Sequence, residues 1–169
     1  TQVRIFTNTE KVELYLNGEL VGEGVPIAMG NASELTHPPV QINVPRFNSG
    51  SLIAKAYIAN KLVASHQVVT PSTTQQISLS LDISGAQPVA NDVVFVRAHL
   101  LDANGHPVYD NDVVVNFTFD GDVKLVNPDT IVTEKGIATA VVKLGAGYQG
   151  MRVRASTPLV TIRAAEHSF

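Results

Sequence analysis

The chain has 169 residues, 44% hydrophobic and 16% charged, with a formal net charge of −3. That size suits one large or two small domains, and that balance describes folded rather than disordered polypeptide. Its 12 Lys and Arg are scattered singly, which argues against nucleic acid and anionic membrane surfaces as partners; no apolar run nears the roughly 20 residues of a spanning helix, and zero Cys excludes disulfides and thiolate metal sites.

The chain enters a strand-like run, VRIFT, almost at once, with neither an initiator Met nor a signal peptide, as expected of a piece of a longer polypeptide. Strands are predicted near residues 3–7, 11–16 and 19–23. In the second of these, Val12, Leu14 and Leu16 alternate with Glu13, Tyr15 and Asn17, a period of two that places aliphatics on one face and polar groups on the other. Asn17-Gly18 supplies two residues that tolerate positive φ, which predicts a type I′ turn and a tight hairpin. After a loop over 24–39, strands follow near 40–44, 51–59 and 61–69, with turns at Asn48-Ser49-Gly50 and at Asn60-Lys61.

Thr70-Pro71-Ser72-Thr73-Thr74 reads as a linker, which divides the chain into residues 1–72 and 73–169. Charge usage changes there: five Glu balance five basic residues before it, whereas eight Asp and two Glu face seven basic residues after it. The second part holds predicted strands near 76–82, 93–101, 113–119, 123–126, 130–133, 136–144, 150–157 and 159–165. Its turns fall at Asp102-Ala103-Asn104-Gly105, Glu134-Lys135-Gly136 and Gly145-Ala146-Gly147. Many short strands separated by turn signals, with no helical period, predict an all-β protein of two consecutive immunoglobulin-like antiparallel β-sandwiches.

Chemistry is sparse. His37, His66, His99, His106 and His167 stand too far apart in sequence for a shared zinc site, and read as isolated surface or strand histidines. Ser65 and His66 are adjacent, but an alternating strand sends them to opposite faces, and no Gly-x-Ser-x-Gly elbow occurs. Asp102-x-Asn104-Gly105, Asp110-Asn111-Asp112 and Asp120-Gly121-Asp122 offer oxygens of the kind calcium takes, yet none completes a binding loop, and Asx residues bonding their own turns explain them. We therefore expect no catalytic residue, no metal and no cofactor. A carbohydrate module would show an aromatic platform, whereas Trp is absent and Tyr15, Tyr57, Tyr109 and Tyr148 are dispersed, with Tyr15 pointing outward. The Glu residues of the first part fall at outward or loop positions, where solvated charge is the ordinary reading.

Several strings resemble a known family. VRIFTNTEKVELYLNGELVG is similar to the opening of a domain found behind the catalytic barrel of bacterial glycoside hydrolase family 2 enzymes, the β-galactosidase and β-glucuronidase group. HPPVQINVPRFNSGSLIAKAYIANKLVASHQVVTP continues it, with a Phe-x-x-Gly-x-Leu turn at Phe47 to Leu52 and a closing Val-x-Thr-Pro. QQISLSLDISGAQPVANDVVFVRAHLLDANGHPVYDNDVVVNFTFDG resembles the first four strands of the next module, and the resemblance weakens after about residue 125. It implies a non-catalytic C-terminal region of a secreted or periplasmic enzyme whose glutamates lie in a (β/α)8 barrel elsewhere in the same polypeptide. The barrel would be its partner, with subunit contacts open to it and carbohydrate met only indirectly. The loop over 24–39 departs most from sandwich economy, and the resemblance nominates Met29, Asn31, Glu34 and His37 as contacts to that barrel or its substrate. A carbohydrate-binding module and a bacterial surface adhesion or spacer module are the other readings.

Overall fold

The computed structural model describes all residues except 29, 33, 47, 83, 84, 86, 160, 161, 163, 164 and 169, and the backbone alone at 31 and 167. It forms two compact units, Thr1–Thr70 and Pro71–Phe169. Among the described residues there are 14 strands and one short 3₁₀ turn, Gly30–Ala32, and every strand pair is antiparallel. The fold is the immunoglobulin-like sandwich that the strand pattern predicts.

Unit 1 is built from β1 (Gln2–Ile5), β2 (Lys11–Leu16), β3 (Glu19–Gly24), β4 (Val40–Asn43), β5 (Ser51–Ile58) and β6 (Lys61–Val69). The order β3-β2-β5-β6 makes one sheet, and β1-β4 makes a second of only two strands. Alternation works as expected in β2: Val12 and Leu14 are buried, and with Val40, Ile42, Val44 and Ala56 they form the core. Asn17 and Gly18 take φ of 53° and 88°, the conformation a tight hairpin needs.

Two local differences from the sequence reading have physical causes. The β2–β3 hairpin is bulged, pairing Leu14 with Gly22 but Tyr15 with Leu20, so that the extra residue Val21 turns onto the core. The second hairpin turns at Ala59-Asn60, with φ of 47° and 60°, rather than at Asn60-Lys61, because a two-residue loop needs both residues left-handed and Lys61 already pairs with Ile58.

The bulge also sets two glycines beneath β4. A Cβ on Gly22 would stand 2.5 Å from Ile42 Cγ2, and one on Gly24 would stand 2.8 Å from Val40 Cγ1. Glycine there lets the two-stranded sheet settle directly on β3 and β2. Among the described residues no third strand joins the smaller sheet, and β6 is exposed from Lys61 through Val68 while β5 is mostly half-buried.

Unit 2 is balanced. It contains β7 (Gln76–Asp82), β8 (Val93–Leu101), β9 (Val114–Asp120), β10 (Val123–Leu125), β11 (Thr130–Val132), β12 (Ile137–Leu144), β13 (Arg152–Ser156) and β14 (Ala165–Ser168). Four strands in the order β10-β12-β8-β7 face four in the order β11-β9-β13-β14. Val94, Val96, Ala98 and Leu100 from β8 meet Ala138, Ala140, Val142 and Leu144 from β12, and Val115, Phe117, Val153 and Ala155 close the core from the other layer.

The final strand lies later than the predicted 159–165. Its pairing with β13 sets Ala165 opposite Ala155 and Ser168 opposite Arg152, so the chain needs a loop after Ser156 before it can return. Leu159 is exposed and Ile162 is buried as a plug in that loop; residues 160, 161, 163 and 164 of the predicted strand lie outside the described residues.

Candidate functional site

One polar constellation lies on the outer face of the larger sheet of unit 1. Lys11, Glu13 and Tyr15 share that face of β2, and the β2–β5 register sets Tyr57 opposite Lys11 and Lys55 opposite Glu13. The hydroxyls of Tyr15 and Tyr57 both donate to Glu13 Oε2, each at 2.8 Å. Lys11 Nζ lies 3.2 Å from Glu13 Oε1 and 2.8 Å from Glu23 Oε2. Lys55 Nζ sits 4.3 Å from the centre of the Tyr15 ring, a cation over a π face.

The ionisation of these groups follows from the contacts. The Tyr15 hydroxyl, then that of Tyr57 and the Lys11 ammonium, hold the Glu13 carboxyl below the usual carboxylate range. The same carboxylate raises Tyr15 and pushes Tyr57 up to about 12. Glu23, then Glu13, raise Lys11.

Two sequence expectations are corrected here. The tyrosines are dispersed in sequence, but Tyr15 and Tyr57 converge on one carboxylate; and Glu13 is no freely solvated charge, its side chain being only 19% exposed. The cluster does not make an open aromatic platform, because Lys55 covers the Tyr15 ring and both hydroxyls are spent on Glu13. It is a fastener between β2 and β5.

A second constellation organises the loop after β8. Asp102 is 1% exposed; its Oδ1 accepts the backbone N–H groups of Asn104 and His106, and its Oδ2 accepts the N–H of Ser72, with His106 Nδ1 at 3.2 Å. The Ser72 amide first, then those of His106 and Asn104, hold this carboxyl far below its ordinary range. His106 is therefore not isolated, nor is His99, which bonds Ser80 Oγ at 3.0 Å and is lowered by burial and then by Arg97.

The other Asx stretches also tie loops together. Asp110 Oδ2 accepts Thr74 Oγ1, Asn111 Oδ1 accepts the Lys135 amide, and Asp122 Oδ2 accepts the Gly147 amide. Among the described residues no cluster of three or more His, Asp or Glu stands ready for a metal. Ser80 with His99 is a hydroxyl–imidazole pair, but the charged neighbour that acts on this imidazole is the Arg97 cation rather than an orienting carboxylate.

Of the four nominated contact residues, Glu34 and His37 are exposed on the loop between β3 and β4. Met29 lies outside the described residues, as does the side chain of Asn31.

Comparison with known proteins agrees with this architecture. Residues 1–64 match a family described as "Domain of unknown function (DUF4982)". A β-galactosidase of Thermoanaerobacter pseudethanolicus is 28% identical over 148 residues, covering 82% of this chain and 20% of that protein. A β-galactosidase of Bacteroides ovatus is 29% identical over 116 residues, covering 69% of this chain and 13% of that protein. In structure, a glycosyl hydrolase family 2 member from Bacteroides cellulosilyticus superimposes with a TM-score of 0.79 at 23% identity, over 99% of this chain and 24% of its own. A family 2 β-glucuronidase superimposes with a TM-score of 0.77 at 18% identity, over 99% of this chain and 18% of its own.

The chain is thus all-β and two-sandwich, similar in sequence to a segment of β-galactosidases and in fold to a segment of glycoside hydrolase family 2 structures. Its first 64 residues match DUF4982, and it spans about a fifth or less of the length of the β-galactosidases it matches.

Proposed function

We propose that this chain is a non-catalytic C-terminal accessory region of a family 2 glycoside hydrolase, packing beside a (β/α)8 barrel carried elsewhere in the same polypeptide. The observation that carries this is the coverage: 82% of the chain aligns with only 20% of a β-galactosidase. The polar groups in the chain support it as well, since Glu13, Asp102 and Asp122 are each consumed in holding strands or loops together. In this reading the loop over 24–39, through Met29, Asn31, Glu34 and His37, reaches the barrel or one wall of its substrate cleft. Contacts between subunits are a further use of the same surfaces, and the parent enzyme works in the periplasm or outside the cell.

The test has two parts. The isolated 169-residue chain should not hydrolyse aryl β-galactosides or β-glucuronides; turnover that disappears on a single Glu substitution would overturn the proposal. In the parent enzyme, replacing Glu34 and His37 together by Ala should change the KM or stability of the barrel while leaving both sandwiches folded. No change in either property would remove the loop from the proposed contact.

A further inference from the structure

Unit 1 is a sandwich with unequal layers. Its larger sheet has four strands and its smaller has two, and the close approach at Gly22 and Gly24 fixes the smaller over β3 and β2. Residues of β1 then share a cleft with Leu52 and Ala54 of β5 and His66 and Val68 of β6.

The backbone at that edge is poised for pairing. Thr1 and Val44 exchange both backbone bonds, at 2.8 Å each. Antiparallel pairs alternate between bonded and non-bonded, so Val3 and Ile5 point their N–H and C=O groups at β4 while Gln2 and Arg4 point theirs the other way. No strand among the described residues takes them up.

Beside this edge lies a cleft of about 460 Å³. Val3, Ile5 and Phe6 line one side, and Leu52, Ala54 and Val68 line the other. Phe6 is 76% exposed and Val68 is 55% exposed, so aliphatic and aromatic surface faces solvent where a third strand of the smaller sheet would stand.

We propose that unit 1 accepts one added β-strand along the outer edge of β1. It bonds the Gln2 and Arg4 backbone, turns alternate apolar side chains into the cleft over Leu52, Ala54 and Val68, and completes a three-stranded layer. The occupant is an extended segment of the same longer polypeptide, apolar at alternate positions. Arg4 and His66 are the ionisable side chains of the lining, so a carboxylate on the strand's outward face fits beside Arg4. The source of the strand rests on the accessory-region reading above; the acceptor edge and cleft do not.

The test uses the 169-residue chain itself. A strand of about six residues alternating Val and Thr, with one outward Glu, is joined to Thr1 by a short Gly/Ser linker, which holds it near millimolar effective concentration. Amide exchange at Gln2 and Arg4 should slow by at least about tenfold, and maleimide labelling of a Val68→Cys variant should slow in parallel. A fusion with Pro at the positions bonding Gln2 and Arg4 should do neither. Exchange at Val12 and Leu14 shows whether unit 1 has remained folded, and the same strand added as a free peptide supplies the readout if the fusion disturbs it. Unchanged exchange, equal slowing by the Pro fusion, protection along β6 in place of β1, or a dimer of the unfused chain that itself protects Gln2 and Arg4 would each overturn the proposal. Such a failure leaves the accessory reading to its own hydrolysis assay.

Discussion

Gly22 offers a sharp test of how the two layers of unit 1 meet. Alanine at this position would ordinarily help a strand, since glycine costs roughly 0.5–1 kcal/mol in backbone entropy. Here its Cβ would lie 2.5 Å from Ile42 Cγ2, and Ile42 is only 4% exposed, so the isoleucine must move within a packed core. Overpacking of this kind costs about 1–3 kcal/mol, which outweighs the entropic gain. We expect Gly22→Ala to destabilise unit 1 by about 1–2 kcal/mol, or roughly 4–16 °C in a unit of this size. Ile42→Ala alone should cost about 2–5 kcal/mol through the cavity it leaves. The double variant should be no less stable than Ile42→Ala, because the clashing methyl group is gone and the alanine in β3 then has space. Native-state hydrogen exchange at Val12 and Leu14, buried in the same core, reads each free energy. Strict additivity of the two substitutions would refute the close-approach reasoning, as would a stabilising Gly22→Ala.

Three further outcomes follow from the polar contacts. Glu13→Gln should bring the late phenol ionisation of Tyr57, near 12, back toward the ordinary 10, read by ultraviolet titration. Because that phenol is raised on folding, its stabilising contribution is fully present below pH 10 and fades as pH rises through about 12; the lowered Glu13 contributes above the ordinary carboxylate range and is lost on acidification, so the variant should flatten both limbs of the stability profile. Asp102→Asn should lower the unfolding midpoint of unit 2 at neutral pH and remove part of its acid sensitivity, since a depressed carboxyl stabilises above its unfolded value and is lost as pH falls; an unchanged acid limb would count against the loop network. Asn17→Ala should cost about 1–3 kcal/mol in chemical denaturation, by replacing a residue that tolerates the left-handed φ of 53° with one that tolerates it less and by removing the bonds to Ser49 O and from Ser51 N–H, while Asn17→Gly loses the bonds but keeps a residue free to adopt that φ and should cost less.

The strands were legible because burial on one face writes itself as a period of two, as in Val94, Val96, Ala98 and Leu100. Turns were legible where two residues must be left-handed, although at Ala59-Asn60 the pattern was displaced by one position. What sequence could not show was pairing between distant strands. Glu13 and Tyr57 stand 44 positions apart and meet only because β2 lies beside β5, and Asp102 reaches Ser72 across 30 positions. An Asx turn at Asp102 was readable from Asn104, two residues on; the grip on Ser72 was not. The open side of unit 1 was equally hidden, because counting strands does not say which layer each joins.

The shared carboxylate of Tyr15 and Tyr57 has a practical consequence. Without tryptophan, tyrosine dominates the near-ultraviolet absorbance of this protein, and the phenol that ionises near 12 belongs to unit 1. The molecule thus carries an intrinsic optical marker for one of its two sandwiches. In an alkaline titration, the moment that marker collapses to ordinary phenol behaviour records when β2 and β5 part, with no label attached.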